Sequence, residues 1–156
     1  MNHRKKSNCA SAGFSLLEAT IVIAIIVLLV GMAIPKFTQA ISKYKLRAAA
    51  DSAAWAMQST RYQALMKGYT YELTINSTNN TYQVLSKPIG AGSFTNVGSA
   101  VPLTSTPVTV SATTTLTFSP NGSVAVVAGS QTITFTYLSQ TETVTVTNYG
   151  SVTVTP

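Results

Sequence analysis

A predominantly apolar segment at residues 14–34, FSLLEATIVIAIIVLLVGMAI, constrains this chain more than any other feature. As a helix rising 1.5 Å per residue it would extend about 31 Å, which is enough to cross the hydrocarbon core of a bilayer. Its one ionisable side chain is Glu18. A carboxylate in hydrocarbon costs about 2.5–3.5 kcal/mol on insertion scales and usually faces a partner. The segment therefore predicts a single membrane span whose acid needs an explanation.

Charged residues are scarce and unevenly placed. They make up 9% of the chain, whereas soluble domains average roughly 25%. Of the basic residues behind the net charge of +6, three (Arg4, Lys5 and Lys6) precede the apolar segment, and none occurs after Lys87. Because basic residues before a span hold that end in the cytoplasm, we expect the downstream chain, with its Ser, Thr and Asn, to lie outside it.

Residues 1–13 form a short basic leader that lacks the apolar centre of a secretory signal. In a secretory signal the cleavage site follows the apolar stretch. Here the plausible small-residue site, after Gly13, precedes that stretch, so cleavage would keep the apolar segment in the mature chain. The single cysteine, Cys9, is expected to leave with the leader, and the residues before it, KKSN, do not fit a lipidation site.

A helical pattern continues beyond the span. Pro35 lacks a backbone N–H and therefore predicts a kink or loosening of the helix. Apolar residues then recur at helical spacing as far as Lys67, and Gly68 is a stop signal. The predicted apolar stripe consists of Leu46, Ala50, Ala53, Ala54, Met57, Ala64 and Leu65. We expect one long helix from Phe14 to Lys67, with Trp55 and the helix tyrosines as core or packing residues and not as a ligand platform.

Beyond the helix, apolar residues recur at every second position, which is typical of antiparallel strands with one wet face. Two hairpins are predicted, around NSTNN at residues 76–80 and around PNG at residues 120–122. Residues 131–138 and 141–148, QTITFTYL and TETVTVTN, alternate in the same way. Residues 87–107 are rich in Gly and Pro and predict a long loop.

The order of basic leader, Gly13, Phe14, Glu18 and apolar helix resembles the type IV prepilin signature. In that family a membrane peptidase cuts after the glycine and methylates the new amine, which here would be that of Phe14. The glutamate is retained and used in filament assembly. Glu18 of one subunit could neutralise the Phe14 amine of its neighbour and so fix their register. The alternative is a plain anchor in which Glu18 reaches towards the headgroups.

Further motifs resemble the GspH/FimT group of pseudopilins and minor pilins. Residues 61–64, from Arg61 to Ala64, match an R-x-x-A turn that leads to the first strand, and Phe118, Pro120 and Gly122 match an F-x-P-x-G strand and turn. The resemblance implies an α+β, pilin-like fold, in which a long N-terminal helix packs on antiparallel β-sheets.

Some FimT-type proteins take up DNA through a C-terminal G-R-x-R turn, so a DNA-uptake minor pilin is an alternative function. At the corresponding place, YGSVTVTP, Gly150 is followed by Ser151 and Thr153 instead of arginines. The other candidate contacts to DNA are Arg61, Lys67 and Lys87. Because DNA affinity depends on cations that meet phosphates, we do not expect nucleic acid as a partner.

No catalytic, metal or cofactor site is predicted. The only histidine, His3, lies in the leader, and no motif surrounds the remaining acids, which are Asp51, Glu72 and Glu142. No spacing of residues is typical of metal ligands. The sequons at Asn76, Asn79 and Asn121 fall in predicted turns, where asparagine is favoured for backbone reasons.

We therefore predict four segments: a leader at residues 1–13, a transmembrane and assembly helix at 14–35, an amphipathic helix half at 36–67, and a β-rich periplasmic or extracellular head at 68–156. The expected function is that of a non-catalytic structural subunit, a minor pilin or pseudopilin, of a type IV pilus or type II secretion pseudopilus. The expected partners are prepilin peptidase, other pilin or pseudopilin subunits and the inner membrane. A further alternative is a membrane-anchored periplasmic domain that does not polymerise.

Overall fold

One long helix, α1, runs from Leu16 to Lys67. The computed structural model of the protein describes residues 14–103 and 108–156, so the predictions for Gly13 and the rest of the leader lie outside the described residues. The helix ends where the sequence predicts. Gly68 takes a left-handed conformation with φ of 74°, and its N–H donates to the carbonyl of Ala64 at 3.0 Å, which closes the last turn.

The chain divides into two compact units, residues 1–39 and residues 40–156. The first unit, as far as it is described, consists of the start of α1 and the two residues before it. The second unit contains the remainder of α1 and the described strands. These strands are β1 (Thr70–Asn76), β2 (Thr81–Lys87), β3 (Thr95–Pro102), β4 (Thr109–Val110), β5 (Thr114–Phe118), β6 (Val124–Ala128), β7 (Thr132–Tyr137), β8 (Gln140–Val146) and β9 (Val152–Thr155).

Antiparallel pairing organises the strands into two sheets. The first sheet has the order β3-β2-β1-β5-β6, and the second has the order β4-β7-β8-β9. Both predicted hairpins are confirmed, because β1 pairs with β2 and β5 pairs with β6. The two alternating segments further along the chain form the pair β7 and β8. The protein thus has the predicted α+β, pilin-like fold, a long N-terminal helix packed against antiparallel sheets.

The second part of α1 and both sheets share one core. The helix contributes mainly small residues, of which Ala49, Ala50, Ala53 and Ala56 are fully buried. The strands contribute the larger buried side chains, which are Leu73, Ile75, Leu116, Phe118, Ile133, Phe135, Val144 and Val146. Burying a large apolar side chain contributes about 1.5–3 kcal/mol relative to leaving it exposed. Small residues on the helix allow the strands to approach, and the side chains of the strands then fill the space between them.

The aromatic residues of α1 lie outside this core, so the core role expected as one of two possibilities for Trp55 and the helix tyrosines is wrong, and a packing role remains a prediction. The side chains of Tyr44, Trp55 and Tyr62 are 76%, 64% and 62% exposed. The physical reason is steric. The side of the helix that faces the strands is occupied by alanines and by Leu46 and Met57, and the rings project from the opposite side.

The predicted loop at residues 87–107 is also wrong in part, because β3 occupies Thr95–Pro102. This strand pairs with β2 through an irregular register between Tyr82 and Val84, where Gly98 has a φ of 75°. Every residue of β3 is exposed. Because β3 has no buried face, no apolar alternation in its sequence reveals it.

The asparagines of the sequons form turns, as predicted. The Oδ1 atom of Asn76 accepts hydrogen bonds from the backbone N–H groups of Thr78 at 2.8 Å and Asn79 at 3.2 Å. The Oδ1 atom of Asn121 accepts one from the N–H of Ser123 at 3.0 Å. These bonds reverse the chain between β1 and β2 and between β5 and β6.

Candidate functional site

The first part of α1 presents apolar side chains on all sides. Among the described residues, α1 is the one helix long and apolar enough to cross a membrane, with a mean hydropathy of 2.7 over its most apolar stretch. None of that stretch is buried within the protein. Its large exposed side chains include Leu16, Leu17, Ile21, Ile23, Ile25, Ile26, Val27, Leu28 and Leu29. A helix that is apolar all round fits a lipid environment, so this part of the chain fits a single-pass membrane anchor.

Phe14 and Glu18 lie at the beginning of this anchor. Phe14 precedes the helix and is 73% exposed, and Glu18 is exposed in the first helical turn. A negative charge in the first turn interacts favourably with the positive end of the helix dipole, by about 0.3–1 kcal/mol at a water-exposed end. Within residues 14–103 and 108–156, the Glu18 carboxylate has no ion-pair partner. The acid therefore has the capacity to pair with a cation from outside its own described chain.

Pro35 lies inside α1, which continues on both sides of it. Proline has no N–H, so the carbonyl four residues earlier, that of Gly31, loses its usual helical donor. A side chain on Gly31 would meet nothing within 4 Å. The predicted kink or loosening at this position remains a prediction.

The second part of α1 carries an exposed row of residues, here called the outward seam. Its members are Ile41, Tyr44, Ala48, Asp51, Trp55, Gln58, Tyr62 and Leu65, all of which are exposed. They follow one another at alternating steps of three and four residues, which is the spacing of a seam that packs against another helix. The predicted alanine stripe lies on the other side of the helix, so it does not reveal this seam. The alternating spacing, read separately from the alanine stripe, was the signal that could have found it.

Arg47 connects the helix to the second sheet beside the outward seam. Its Nε lies 3.1 Å from a carboxylate oxygen of Asp51, and its Nη1 lies 3.3 Å from one of Glu142 on β8. The Arg47 side chain is 46% exposed, so water screens these pairs and each contributes at most about 1 kcal/mol. Two of the acids considered in the sequence analysis are thus held in a surface ion-pair network.

Arg61 brings together the three short motifs that the resemblance singled out. Its Nε donates a hydrogen bond to the carbonyl of Gly122 at 3.1 Å. Its side chain also lies against Gly150, where a Cβ atom would come within 2.8 Å of Cζ of Arg61. Gly122 and Gly150 have φ values of 84° and 79°, which glycine adopts without strain. The R-x-x-A segment is accordingly one turn of the helix, and it meets the F-x-P-x-G turn and the C-terminal turn in space.

An open cleft of about 450 Å³ lies beside Arg61. Its walls are formed by Gln58, Arg61, Tyr62, Leu65, Gly150, Ser151 and Val152. The cleft thus lies between the end of α1 and the turn that leads into β9. The two sides of the cleft are separated by many residues along the chain, so no local sequence pattern predicts it.

The candidate DNA contacts do not form a basic surface around this cleft. Arg61 is half-buried against the two glycines, and the Nζ of Lys87 lies 5.8 Å from the centre of the Phe94 ring. Lys67 is in the last turn of α1. Of the three, only Arg61 lines the cleft. No group of three or more His, Cys, Asp or Glu side chains that could hold a metal ion occurs in the part of the chain that the structure describes.

Comparison with known proteins gives one family. The family model described as type II transport protein GspH matches residues 49–150, which is well over half of the chain. The match includes Arg61, Gly122 and Gly150 and most of the outward seam. No curated protein and no solved structure gives a significant match to the chain.

Proposed function

This chain belongs to the GspH family of type II transport proteins, and we propose that it is a minor pilin or pseudopilin that assembles through α1 into a type II secretion pseudopilus or a type IV pilus. Family membership supports a structural, pseudopilin-like role in type II secretion. The observation that carries the assembly proposal is Glu18, an acid in the first turn of an otherwise apolar helix.

Processing would begin at the N-terminal end of this helix. We propose that prepilin peptidase cuts after Gly13 and methylates the new amine of Phe14. The sequence around Gly13 and Phe14 supports this step by its resemblance to the prepilin signature. The helix begins at Leu16, and the carbonyl of Ser15 accepts a hydrogen bond from the N–H of Ala19 at 3.1 Å, so Phe14 lies just before the first helical turn.

Assembly would then depend on the pairing of Glu18 with a neighbour. A carboxylate in hydrocarbon costs about 2.5–3.5 kcal/mol, and a methylated α-amine at a similar depth would offset that cost. If Glu18 of one subunit meets the Phe14 amine of another, both charges are neutralised at only one axial register. The exposed apolar side chains around Glu18 would supply the packing surface between the helices.

The remainder of the chain would lie on the far side of the inner membrane. Arg4, Lys5 and Lys6 precede the anchor and favour a cytoplasmic N-terminus. The head at residues 68–156 has few charges, and one of its acids, Glu142, is paired with Arg47. This head would then face the periplasm. The outward seam of α1 would be available there for contacts with neighbouring subunits.

Replacing Glu18 tests this proposal in the full-length protein. In cells that assemble the filament, Glu18→Ala is expected to insert into the membrane and to be cleaved normally, but to fall at least about tenfold in the sheared or purified filament fraction. Glu72→Gln, which removes an acid from strand β1 in the head, is the matched control and is expected to assemble normally. Mass spectrometry of both proteins should find an N-methylated phenylalanine at the N-terminus.

Two results would contradict the proposal. Normal incorporation of Glu18→Ala would favour a plain membrane anchor that does not use the acid. An intact N-terminal methionine in the cellular protein would remove the processing step, and with it the amine that Glu18 is proposed to meet.

A further inference from the structure

The guanidinium group of Arg61 is only partly satisfied by the protein. Its Nε donates to the carbonyl of Gly122 at 3.1 Å. Within residues 14–103 and 108–156, its two terminal Nη atoms have neither a hydrogen-bond partner nor an ion-pair partner. The side chain is half-buried and lies against Gly150. The Arg61 guanidinium is therefore held in a fixed position, and its Nη–H groups remain available as hydrogen-bond donors.

The surroundings of Arg61 are suited to the binding of a ligand. Arg61 lines the cleft of about 450 Å³ between the end of α1 and the turn before β9. Leu65, Val152 and the ring of Tyr62 give the cleft apolar walls, and Gln58 and Ser151 add neutral hydrogen-bonding groups. No Asp or Glu lines the cleft. A ligand that fits must bring a negative charge for Arg61 and an apolar group for the walls.

We propose that this cleft binds a carboxylate flanked by an apolar side chain, supplied by a peptide segment of another protein. A guanidinium binds a carboxylate through two parallel N–H···O bonds, and such charge-assisted bonds are about twice as strong as neutral ones. The carboxylate could be the C-terminus of the segment or an Asp or Glu side chain within it. In either form, the apolar neighbour would pack on Leu65 and Val152 while the carboxylate faces Arg61.

The charges around the cleft favour a peptide over a nucleic acid. Strong binding to nucleic acid requires several cations that meet successive phosphates. The cleft has one cation, and no Lys or Arg follows Lys87 in the sequence. A single fixed guanidinium beside apolar walls matches a single carboxylate on an apolar peptide.

Nuclear magnetic resonance on the full-length protein in detergent micelles tests the proposal. The probes are two pairs of peptides: acetyl-Gly-Gly-Leu with a free C-terminal carboxylate or as the amide, and acetyl-Leu-Glu-Leu-amide or acetyl-Leu-Gln-Leu-amide. At least one acidic peptide is expected to shift the Nε–H signal of Arg61 and the backbone signals of Gly150 and Ser151. It should bind about tenfold more tightly than its uncharged counterpart. The pair that shows this difference identifies the source of the carboxylate.

Two variants connect the binding to Arg61. Arg61→Gln removes the cation and is expected to abolish the difference between acidic and uncharged peptides. Ser151→Asp keeps Arg61 but places an acid in the exposed wall of the cleft, where it would compete for the guanidinium. This variant should therefore bind acidic peptides about tenfold more weakly than the unmodified protein. The matched control is Thr155→Asp, which adds the same charge to an exposed position on β9 outside the cleft lining and should bind like the unmodified protein.

Three outcomes would overturn the proposal. The first is equal binding of the acidic and uncharged peptides. The second is that acidic peptides bind Arg61→Gln and Ser151→Asp as tightly as the unmodified protein. The third is that a twelve-residue oligothymidine shifts the signals of the cleft residues while the peptides do not. The measurement uses the monomer in detergent and does not require assembly. Filament formation and peptide binding can therefore fail independently.

Discussion

The side chain of Arg61 lies directly on the backbone of Gly150, with no room for a Cβ atom between them. The same side chain donates its Nε–H to the carbonyl of Gly122. One residue near the end of α1 thereby fixes two turns of the head, the turn between β5 and β6 and the turn before β9. Gly122 and Gly150 both adopt a left-handed backbone conformation, which glycine takes without strain. At Gly150, the close approach of Arg61 also leaves no space for a side chain.

Gly150→Ala is expected to destabilise the head by about 1–3 kcal/mol. About 1 kcal/mol arises from the positive φ, and the rest arises because the new Cβ atom displaces Arg61 from Gly122. Gly90→Ala is the matched control, because Gly90 has a similar φ of 86° but nothing within 4 Å of the added atom. Chemical denaturation followed by circular dichroism measures both losses. Equal losses in the two variants would show that the contact with Arg61 contributes nothing.

Phe135→Ala is expected to lower the free energy of unfolding by about 3–5 kcal/mol, because it leaves a cavity between the helix and the second sheet. Phe135 is fully buried on β7. The control is Tyr149→Ala, since Tyr149 is 86% exposed, and its loss should stay within about 0.5 kcal/mol. A loss of the same size in both variants would contradict the position of the core.

Tyr71 is expected to make the head less stable at high pH. Burial, with further contributions from the hydrogen bond to Tyr69 and the charge of that residue, raises the pKa of Tyr71 from 10.0 to about 12. The hydroxyl of Tyr71 donates to that of Tyr69 at 3.3 Å, and the two rings are stacked with centroids 5.2 Å apart. Between these two pKa values the folded protein keeps a proton that the unfolded chain has lost.

The stabilising contribution of Tyr71 is therefore fully present below about pH 10 and is lost as the pH rises towards 12. Chemical denaturation at pH 9 and at pH 11.5 should show that Tyr71 lowers the free energy of unfolding by on the order of 1 kcal/mol at the higher pH. In Tyr71→Phe the decrease in the free energy of unfolding between the two pH values should be smaller by that amount. Tyr149→Phe should behave like the unmodified protein. An identical drop in all three proteins would refute the role of Tyr71.

Trp55→Ser is expected to reduce filament incorporation without destabilising the monomer. Trp55 is 64% exposed at the middle of the outward seam, so the stability of the monomer should change by no more than about 0.5 kcal/mol. In an assembled filament the indole ring would pack against a neighbouring subunit, as large aromatic residues commonly do at interfaces. Tyr149→Ser, which removes another exposed ring, is the control for general effects on expression. Normal assembly of Trp55→Ser, or a large loss of monomer stability, would contradict this role.

Much of the fold follows from local patterns in the sequence. The apolar run at residues 14–34 predicts a helix that fits a lipid environment, and Gly68 ends that helix because glycine adopts the left-handed cap conformation easily. The hairpins follow from period-two alternation on either side of turns closed by Asn76 and Asn121. Each of these features depends on neighbours within a few residues, so the local sequence is sufficient to predict it.

Other features were decided only when distant segments met. β3 has no buried face, so only its backbone pairing with β2 makes it a strand. Trp55 faces away from the core because the alanines on the other side of α1 are the residues that fit against the strands.

By itself, the sequence determined the apolar segment with Glu18, the long helix, the two hairpins and the alternating core strands, because short-range periodicity and turn chemistry control all of them. The tertiary structure alone decided which face of α1 stays exposed and where Arg61 lies. The hydrogen bond from Arg61 to Gly122 joins residues 61 positions apart. Its formation, like that of the cleft beside it, depends on how the helix packs on the sheets, which no local pattern specifies.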